Sequence, residues 1–378
     1  MFEDILRFAP REFKKRHVMS VDISTSAISA ILAVRHENTG IADILKTLKN
    51  PLNLMGENFS GLRTAHVIRE GILKIFRDAR AVTGHLDEIT VILSDPFFSD
   101  ITFSKEMRRH HPEIKISSQE ISALFKTMEK EAESPREASV PGAPAAPDLV
   151  RAGEEMFFPK VNGYEVLDPA GYKGKSMEIS AVFTFINQFM KETVIGAHDK
   201  FFPRAHLEYV SDTRLIRKTL LKLNALQDPA ILFNVDGEAT GVYLLSNNEI
   251  SHLGISTFGT KTLERRVSSL PQYAQNMLEE NLKAKTESLL KPAFLDWWEE
   301  ISQHVKKLEE TGFPKKCFIA GRDPAVNIFP GLLANYLKSL LGFESDLKLF
   351  SVEPMRDLIR PSSFVPQNQD ILLASLLN

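Results

Sequence analysis

Near its N-terminal end, the chain has the pattern of apolar and small residues that is typical of a β-hairpin. The apolar run Val18–Val21 leads into Asp22, a turn of small residues follows, and Ala27–Val34 is an apolar return strand. Short runs rich in β-branched residues on either side of a small-residue turn predict paired strands. A third strand is predicted at Gly40–Leu48, and apolar residues at helical spacing predict a helix over Asn58–Gly84.

A second hairpin of the same plan lies in the second half of the chain. In both hairpins an aspartate, Asp22 or Asp236, closes an apolar strand, and a hydroxyl residue, Ser26 or Thr240, lies four positions later. The return strand of the second copy is Val242–Leu245. Each copy is followed by a further strand and a helix, so the pattern predicts a duplicated half rather than a short-period repeat array.

The stretch over 97–186 differs in character from both halves, and we interpret it as a small α+β subdomain inserted in the first lobe. A helix candidate over Ser117–Glu131 is followed by a segment rich in proline and alanine at 133–150. That composition predicts a disordered surface loop. The β-branched and aromatic residues of Phe157–Val166 and Met177–Ile186 then predict strands.

The predicted domain bounds follow from this division. The first lobe takes residues 1–96 and 187–227, and the inserted subdomain takes 97–186. The second lobe takes 228–378, with a helical part over 260–315.

Composition narrows the range of functions without naming one. The chain carries 46 Lys+Arg against 49 Asp+Glu, so it lacks the concentrated basic character that nucleic-acid binding requires. Its single cysteine, Cys317, excludes a disulfide within the chain, and no apolar run approaches the length of a membrane span. These features predict a cytoplasmic location.

Four segments in order along the chain resemble the FtsA/PilM family of bacterial actin-like proteins. Val21–Ser26 resembles the first phosphate loop of that family, and Asp236–Thr240 resembles the second. Ile319–Arg322 corresponds to the turn that contacts adenosine, and 162–178 is similar to the Asn-Pro-x-Gly-x-x-Gly stretch of the inserted subdomain. The resemblance extends from about residue 17 to 378 and implies an α/β, actin-like (ribonuclease H-like) duplicated fold with two lobes.

The resemblance also implies that ATP with Mg²⁺ binds between the lobes. Backbone amides of small-residue turns suit phosphate oxygens, and a carboxylate at a strand end suits hydrated Mg²⁺. Asp22 and Asp236 are the expected metal-side carboxylates. The expected nucleotide contacts are Ser24, Thr25, Ser26, Gly237, Thr240, Gly241, Gly259, Gly321 and Arg322.

Several residues depart from the family pattern in ways that bear on catalysis. Ser24 replaces a glycine of the first loop, and Glu238 and Ala239 replace glycines of the second. A carboxylate at position 238 is expected to repel a triphosphate, whereas Arg322 is expected to stack on a base or reach a phosphate. These departures predict at most a weak ATPase, or a pseudo-ATPase.

No catalytic residue follows from the sequence. Ser211 and Asp212 have two interpretations: they either orient the attacking water or cap a helix over Leu215–Leu223.

The leading functional hypothesis is a PilM-like cytoplasmic scaffold at the inner face of the membrane, in an assembly such as a type IV pilus machine. Its expected partner is a cytoplasmic segment of a membrane protein, with indirect membrane association, self-association as a further option, and no nucleic acid. FtsA-type proteins commonly end in an amphipathic membrane tail, and the final residues Ile371–Ala374 lack that pattern. The alternatives are an FtsA-like cell-division protein that forms ATP-dependent polymers, and a small-molecule kinase or phosphatase of the same superfamily.

Overall fold

The computed structural model describes residues 15–54, 62–133, 149–157, 159–166, 168–246, 249–268, 282–361 and 370–378. Within these ranges, no helix is both long and apolar enough to cross a membrane.

A six-stranded sheet forms the first lobe. In spatial order its strands are β10 (His206–Ser211), β4 (Glu88–Leu93), β1 (Lys15–Ile23), β2 (Ala27–His36), β3 (Ala42–Pro51) and β16 (Ile359–Pro361). Strands β1 and β2 form the predicted antiparallel hairpin, with Asp22 opposite Ser29. Strand β4 lies parallel to β1 on its other side, which makes β1 a central strand. The part of β1 from Val18 to Ile23 is buried, as expected for a strand covered on both faces.

Helices cover both faces of this sheet. They are α1 (Leu62–Val82), α3 (Gln188–Phe201), α4 (Asp212–Lys222) and α8 (Asp370–Leu377). Helix α1 packs on β2, β3 and α3, and it buries Ile68, Ile72, Ile75 and Phe76, which recur at helical spacing. Helix α8 packs on β1, β2 and α4.

A separate five-stranded sheet lies between β4 and α3 in the chain. Its strands are β5 (Phe98–Arg108), β6 (Leu149–Met156), β7 (Lys160–Val161), β8 (Tyr164–Glu165) and β9 (Ser176–Asn187). Helix α2 (Ser118–Glu133) packs on β5 and β9 and buries Leu124 and Met128. Apart from its two ends, the predicted disordered loop over 133–150 lies outside the described residues.

The second lobe repeats the strand order of the first. Its strands in spatial order are β13 (Ile250–Ser256), β12 (Thr240–Leu245), β11 (Ala230–Val235), β14 (Lys316–Gly321) and β15 (Asp346–Leu349). Strand β11 is antiparallel to β12 and parallel to β14, as β1 is to β2 and β4. This order matches β3-β2-β1-β4-β10, so the predicted duplication is confirmed.

Among the residues that the structure describes, three α-helices accompany the second sheet: α5 (Thr260–Ser268), α6 (Leu282–Val305) and α7 (Phe329–Leu341). Aromatic side chains dominate the core between α6, α7 and the sheet. Trp297 is fully buried and packs edge-on against Phe329, with the ring centroids 5.2 Å apart.

The end of the chain requires a correction to the predicted second lobe. The predicted second lobe takes residues 228–378, but β16 pairs with β3 in the first-lobe sheet. Ile371, Leu372 and Leu376 of α8 are buried in the first-lobe core. The apolar face of α8 needs a sheet to cover it, and the first lobe supplies that sheet, so the chain crosses back after β15. The remaining predicted bounds stay a proposal.

Candidate functional site

The turns of the two hairpins touch each other. The backbone N–H and the hydroxyl of Thr25 both donate to Asp236 Oδ2, the hydroxyl over 2.8 Å. In return, the N–H of Glu238 donates to Thr25 Oγ1 over 2.9 Å. Gly237 lies so close to Ser26 that an added Cβ would stand 2.9 Å from the Cβ of that serine. The amides that would face a phosphate in an open cradle are therefore used by the protein itself.

An arginine lies between the two lobes next to these turns. Arg322 follows directly after β14, and its Nε donates to Asp22 Oδ2 over 2.6 Å while Nη2 donates to Oδ1 over 3.0 Å. The same Nη2 donates to Asp212 Oδ2 over 2.8 Å. The side chains of Arg322, Asp22 and Asp212 are 8%, 4% and 0% exposed. The arrangement is a buried, partly bidentate ion pair that joins the second lobe to the first.

The charges of this cluster depend on one another. Burial acts against the charge on Arg322, but Asp22, Asp212 and Asp236 outweigh it and raise the pKa of the guanidinium above its ordinary value. Burial raises the pKa of Asp22, and the neighbouring Arg322 offsets part of that rise. The cation is therefore held firmly in its charged form.

A fourth buried carboxylate, Asp95, lies on the same side of the first lobe. The hydroxyl of Tyr243, on β12 of the second lobe, donates to Asp95 Oδ1 over 2.7 Å and contacts Oδ2 at 2.8 Å. Burial, and then the charge of Asp212, raise the pKa of Asp95 well above its ordinary value. Gly241 has no room for a side chain, because an added Cβ would overlap Asp95 Oδ2. Asp95 and Tyr243 thus form a second tie between the lobes.

The sequence did not identify Asp95 as a site residue, and it left two interpretations open for Asp212. Asp95 follows the apolar run Ile89–Leu93, and a carboxylate just beyond a buried strand is a signal that would have singled it out. Ser211 is the N-cap of α4, since its side chain accepts from the N–H of Arg214. Of the two interpretations left open, the cap is therefore the one that the geometry supports for Ser211, while Asp212 contacts Arg322.

The hydroxyl groups that were expected to contact the nucleotide lie in the two turns, where they form hydrogen bonds with other atoms of the protein. Ser24 Oγ donates to the carbonyl of Ala27 over 2.9 Å and lies 3.0 Å from Ser26 Oγ. Thr240 Oγ1 donates to the carbonyl of Phe258 over 2.7 Å and accepts from the indole N–H of Trp297.

The two predicted glycines beyond the turns are packed against backbone. An added Cβ on Gly321 would stand 2.8 Å from the carbonyl oxygen of Val235, and one on Gly259 would overlap the carbonyl of Asp236. Glycine is needed at both positions because neighbouring backbone comes this close.

The carboxylate of Glu238 is paired with side chains of α5 in its own lobe. It accepts hydrogen bonds from Nη1 of Arg265 over 2.6 Å, from Nη2 of the same arginine, and from the hydroxyl of Thr262. The nearby Lys261 reaches across to the first lobe, where its Nζ donates to the carbonyls of Ser26 and Leu52 over 3.0 and 2.6 Å. The expected repulsion is thus avoided because α5 supplies a counter-ion.

The residues present do not fit bound Mg·ATP in this arrangement. Arg322 already neutralises Asp22, and Asp236 is bonded to Thr25. No group of three or more His, Cys, Asp or Glu side chains in the described part of the chain is placed to hold a metal ion. Among the described residues, Asp212 Oδ1, Asp236 Oδ1 and Asn234 Oδ1 are buried side-chain oxygens without a hydrogen-bond partner. The assignment of the predicted residues to nucleotide and metal stays a prediction from the sequence.

Comparison with known proteins supports the fold. The sequence matches no protein-family model and no curated protein. Among solved structures, one from a PilM-PilN type IV pilus biogenesis complex is similar, at 13% identity over 95% of this chain and 96% of that chain, with a TM-score of 0.56. A Bacteroides thetaiotaomicron protein of actin-like ATPase fold and unknown function is 10% identical over 96% of this chain and 95% of that chain, with a TM-score of 0.42.

A further similar structure is MamK, a non-polymerising mutant bound to AMPPNP. It is 10% identical over 91% of this chain and 96% of that chain, with a TM-score of 0.38. At these identities the similarity concerns the fold alone. The chain has the predicted α/β, actin-like, two-lobed fold.

Proposed function

We propose that this chain is a PilM-like scaffold that binds a membrane-associated assembly, such as a type IV pilus machine, and does not use ATP hydrolysis to do so. The observation that carries the proposal is the direct contact between the two turns, in which Thr25 bonds to Asp236 and Glu238. Phosphoryl transfer requires a γ-phosphate and its metal to be positioned between these turns. The contact of Thr25 with Asp236 and Glu238 supports the proposal that the turns leave no room for these groups.

A closed actin-like fold still offers rigid surfaces to a partner. The partner that we propose is a cytoplasmic segment of a membrane protein, by analogy with the PilM-PilN complex of similar fold. The chain would then lie at the inner face of the membrane through that partner. Without a nucleotide cycle, binding would depend on the surface of the scaffold and not on the state of the cleft.

A cavity of about 280 Å³ between β6 of the inserted subdomain and strands β4 and β10 of the first lobe is our candidate for the docking surface. Of the glutamates that line it, Glu88 pairs with Arg35 and Glu155 pairs with Arg214. Glu208, exposed on β10, forms no ion pair with a described residue. A basic side chain of the partner segment would pair with that carboxylate.

The test is a binding measurement between the purified chain and synthetic peptides. The peptides are the cytoplasmic segments of bitopic membrane proteins from the same organism, immobilised for surface plasmon resonance. We expect one segment to bind, Glu208→Lys to weaken that binding, and Glu344→Lys, on an exposed residue of the second lobe, to leave it unchanged. Failure of every segment to bind the wild-type chain would count against the scaffold role.

Three further measurements test this proposal against its alternatives. Electron microscopy in Mg·ATP should show no filaments, and regular filaments would favour the FtsA-like division protein. Incubation with γ-labelled ATP and metabolites should show no phosphate transfer, and a labelled product would favour the kinase. A ligand that binds the native state must raise the melting temperature. Since we propose that the cleft does not bind Mg·ATP, the melting temperature of the wild-type chain should be the same with and without it.

A further inference from the structure

Besides the contacts of Thr25 with Asp236 and Glu238, the hydrogen bonds that join the lobes at the cleft include those of three charged or polar side chains of the second lobe. Arg322 reaches Asp22 and Asp212, Lys261 reaches two carbonyls of the first lobe, and Tyr243 reaches Asp95. Arg322 is the only one of the three that pairs with more than one carboxylate in the described part of the chain. It is therefore the residue that balances the negative charge of the cleft.

We propose that Arg322 is a built-in cation that holds the two lobes closed, so that closure requires neither a nucleotide nor a metal ion. This inference goes beyond the scaffold role and holds whichever partner the chain binds. It assigns to one side chain the task of bridging the lobes, which a bound cation and phosphate would otherwise have to perform.

The electrostatic argument starts from the burial of the aspartates. Asp22, Asp212 and Asp236 are 3%, 0% and 2% exposed, and all three act on the guanidinium of Arg322. Like charges repel strongly when water is excluded, and two of these carboxylates lie on one lobe and the third on the other. Without a cation at this position, the repulsion would push the lobes apart. Arg322 removes it from inside the fold.

The geometry is specific to arginine. Nε and Nη2 contact both oxygens of Asp22, and Nη2 is shared with Asp212. A planar guanidinium can contact two carboxylates at fixed angles, whereas a lysine ammonium is a single point of charge. The backbone next to Arg322 is also closely packed. Arg322 follows Gly321, whose backbone lies against the end of β11.

The experiment measures lobe closure by hydrogen–deuterium exchange of the peptides that contain the turns at 22–27 and 236–241. In the wild-type chain these amides should exchange slowly, and neither EDTA nor Mg·ATP should change the rate. In Arg322→Ala they should exchange at least about tenfold faster, because the buried carboxylates lose their counter-ion. Millimolar methylguanidinium should slow exchange again in Arg322→Ala and have no effect on the wild type.

Two more variants complete the design. Arg265→Ala is the matched control, since it removes an arginine that pairs with Glu238 within the second lobe and does not bridge the lobes. It should leave the exchange of the 22–27 peptide unchanged. Arg322→Lys keeps the charge but not the two-carboxylate geometry, and its exchange should lie between those of wild type and Arg322→Ala. If Arg322→Ala does not fold, the comparison is made between Arg322→Lys and wild type.

Three results would overturn the proposal. One is exchange in both Arg322 variants as slow as in the wild type. Another is wild-type turns that become protected only when Mg·ATP is added. The third is a lack of rescue by methylguanidinium in a folded Arg322→Ala, since that result would reduce Arg322 to a packing role. None of these outcomes depends on whether a membrane-protein segment binds.

Discussion

The two lobes have the same five-strand order, yet their corresponding aspartates meet different groups. Asp22, near the end of β1, accepts two charged hydrogen bonds from Arg322. Asp236, just after β11, accepts from the neutral amide and hydroxyl of Thr25. In each case the donor comes from the other lobe. The backbone of the two halves is duplicated, but the chemistry at their facing turns is not.

This difference shows how an actin-like cleft can be closed by its own side chains. Asp22 of the first lobe is paired with a counter-ion, so its contact is strong. Removing the counter-ion leaves a buried carboxylate uncompensated and strongly destabilises the fold. The second-lobe aspartate depends on neutral donors, which replace hydrogen bonds to water and contribute less. Substitutions at the two turns should therefore have unequal effects.

The largest effect is expected for Arg322→Ala. Removing one member of a buried ion pair leaves its partners charged and uncompensated, which costs about 3–5 kcal/mol of the free energy of unfolding. Urea denaturation followed by circular dichroism measures this loss. Arg322→Lys should lose less, since it retains the charge. A loss in Arg322→Ala no larger than that in Arg265→Ala would contradict the contrast between the turns.

A smaller effect is expected for Thr25→Val on the other side of the comparison. The substitution keeps the shape and the backbone N–H but removes the hydroxyl that bonds to Asp236 and Glu238. A hydrogen bond to a charged group contributes about 1.5–3 kcal/mol, so the free energy of unfolding should fall by about that amount. Ser26→Ala is the control, because in the described part of the chain the Ser26 hydroxyl hydrogen-bonds only to Ser24, within its own turn. Equal losses of the free energy of unfolding in the two variants would contradict a stabilising role of the Thr25 hydroxyl.

Asp95→Asn should change the pH dependence of stability. Burial, and then the charge of Asp212, raise the pKa of Asp95 in the folded chain, with Asp100 and Asp236 adding to the rise. Between the unfolded and folded pKa values the native state holds more protons, so the free energy of unfolding falls as the pH rises. The asparagine variant lacks this contribution and can still accept from Tyr243.

The measurement for Asp95 is urea unfolding of both proteins at mildly acidic, neutral and mildly alkaline pH. The stability of Asp95→Asn relative to wild type should increase steadily with pH. An exposed aspartate, Asp346, serves as the control through Asp346→Asn. A difference between variant and wild type that stays constant across this range would show that Asp95 does not gain its proton from the fold.

The smallest effect is expected for Arg265→Ala. The Arg265 side chain is 42% exposed, so solvent screens its side of the pair. Glu238 is 1% exposed, but it keeps the hydroxyl of Thr262 as a donor in Arg265→Ala, and we expect a loss of about 1 kcal/mol. The loss should shrink as salt is added, whereas the loss in Arg322→Ala should change little because that pair is buried. Thermal unfolding at low and high ionic strength makes the comparison. If the losses in the two variants depended equally on salt, the difference in burial between Arg265 and Arg322 would not explain their unequal size.

Much of the fold could be predicted from local pattern. Both hairpins, the helix with Ile68 and Ile72 on its buried face, and the duplication follow from residue spacing within short windows. The return of α8 to the first lobe could not be predicted, because Ile371–Leu376 is apolar and would suit either lobe. Which sheet it covers depends on the path of the whole chain.

The candidate site divides in the same way. By itself the sequence determined that Asp22 and Asp236 end corresponding strands and that the glycines around them are reduced in number, since strand ends and turn residues are local features. Only the tertiary structure decided what each aspartate meets. Asp22, Asp212 and Arg322 are far apart in the chain, and a long guanidinium side chain can satisfy many different carboxylates. Their pairing depends on how closely the lobes approach and on the exclusion of water, which no local pattern encodes.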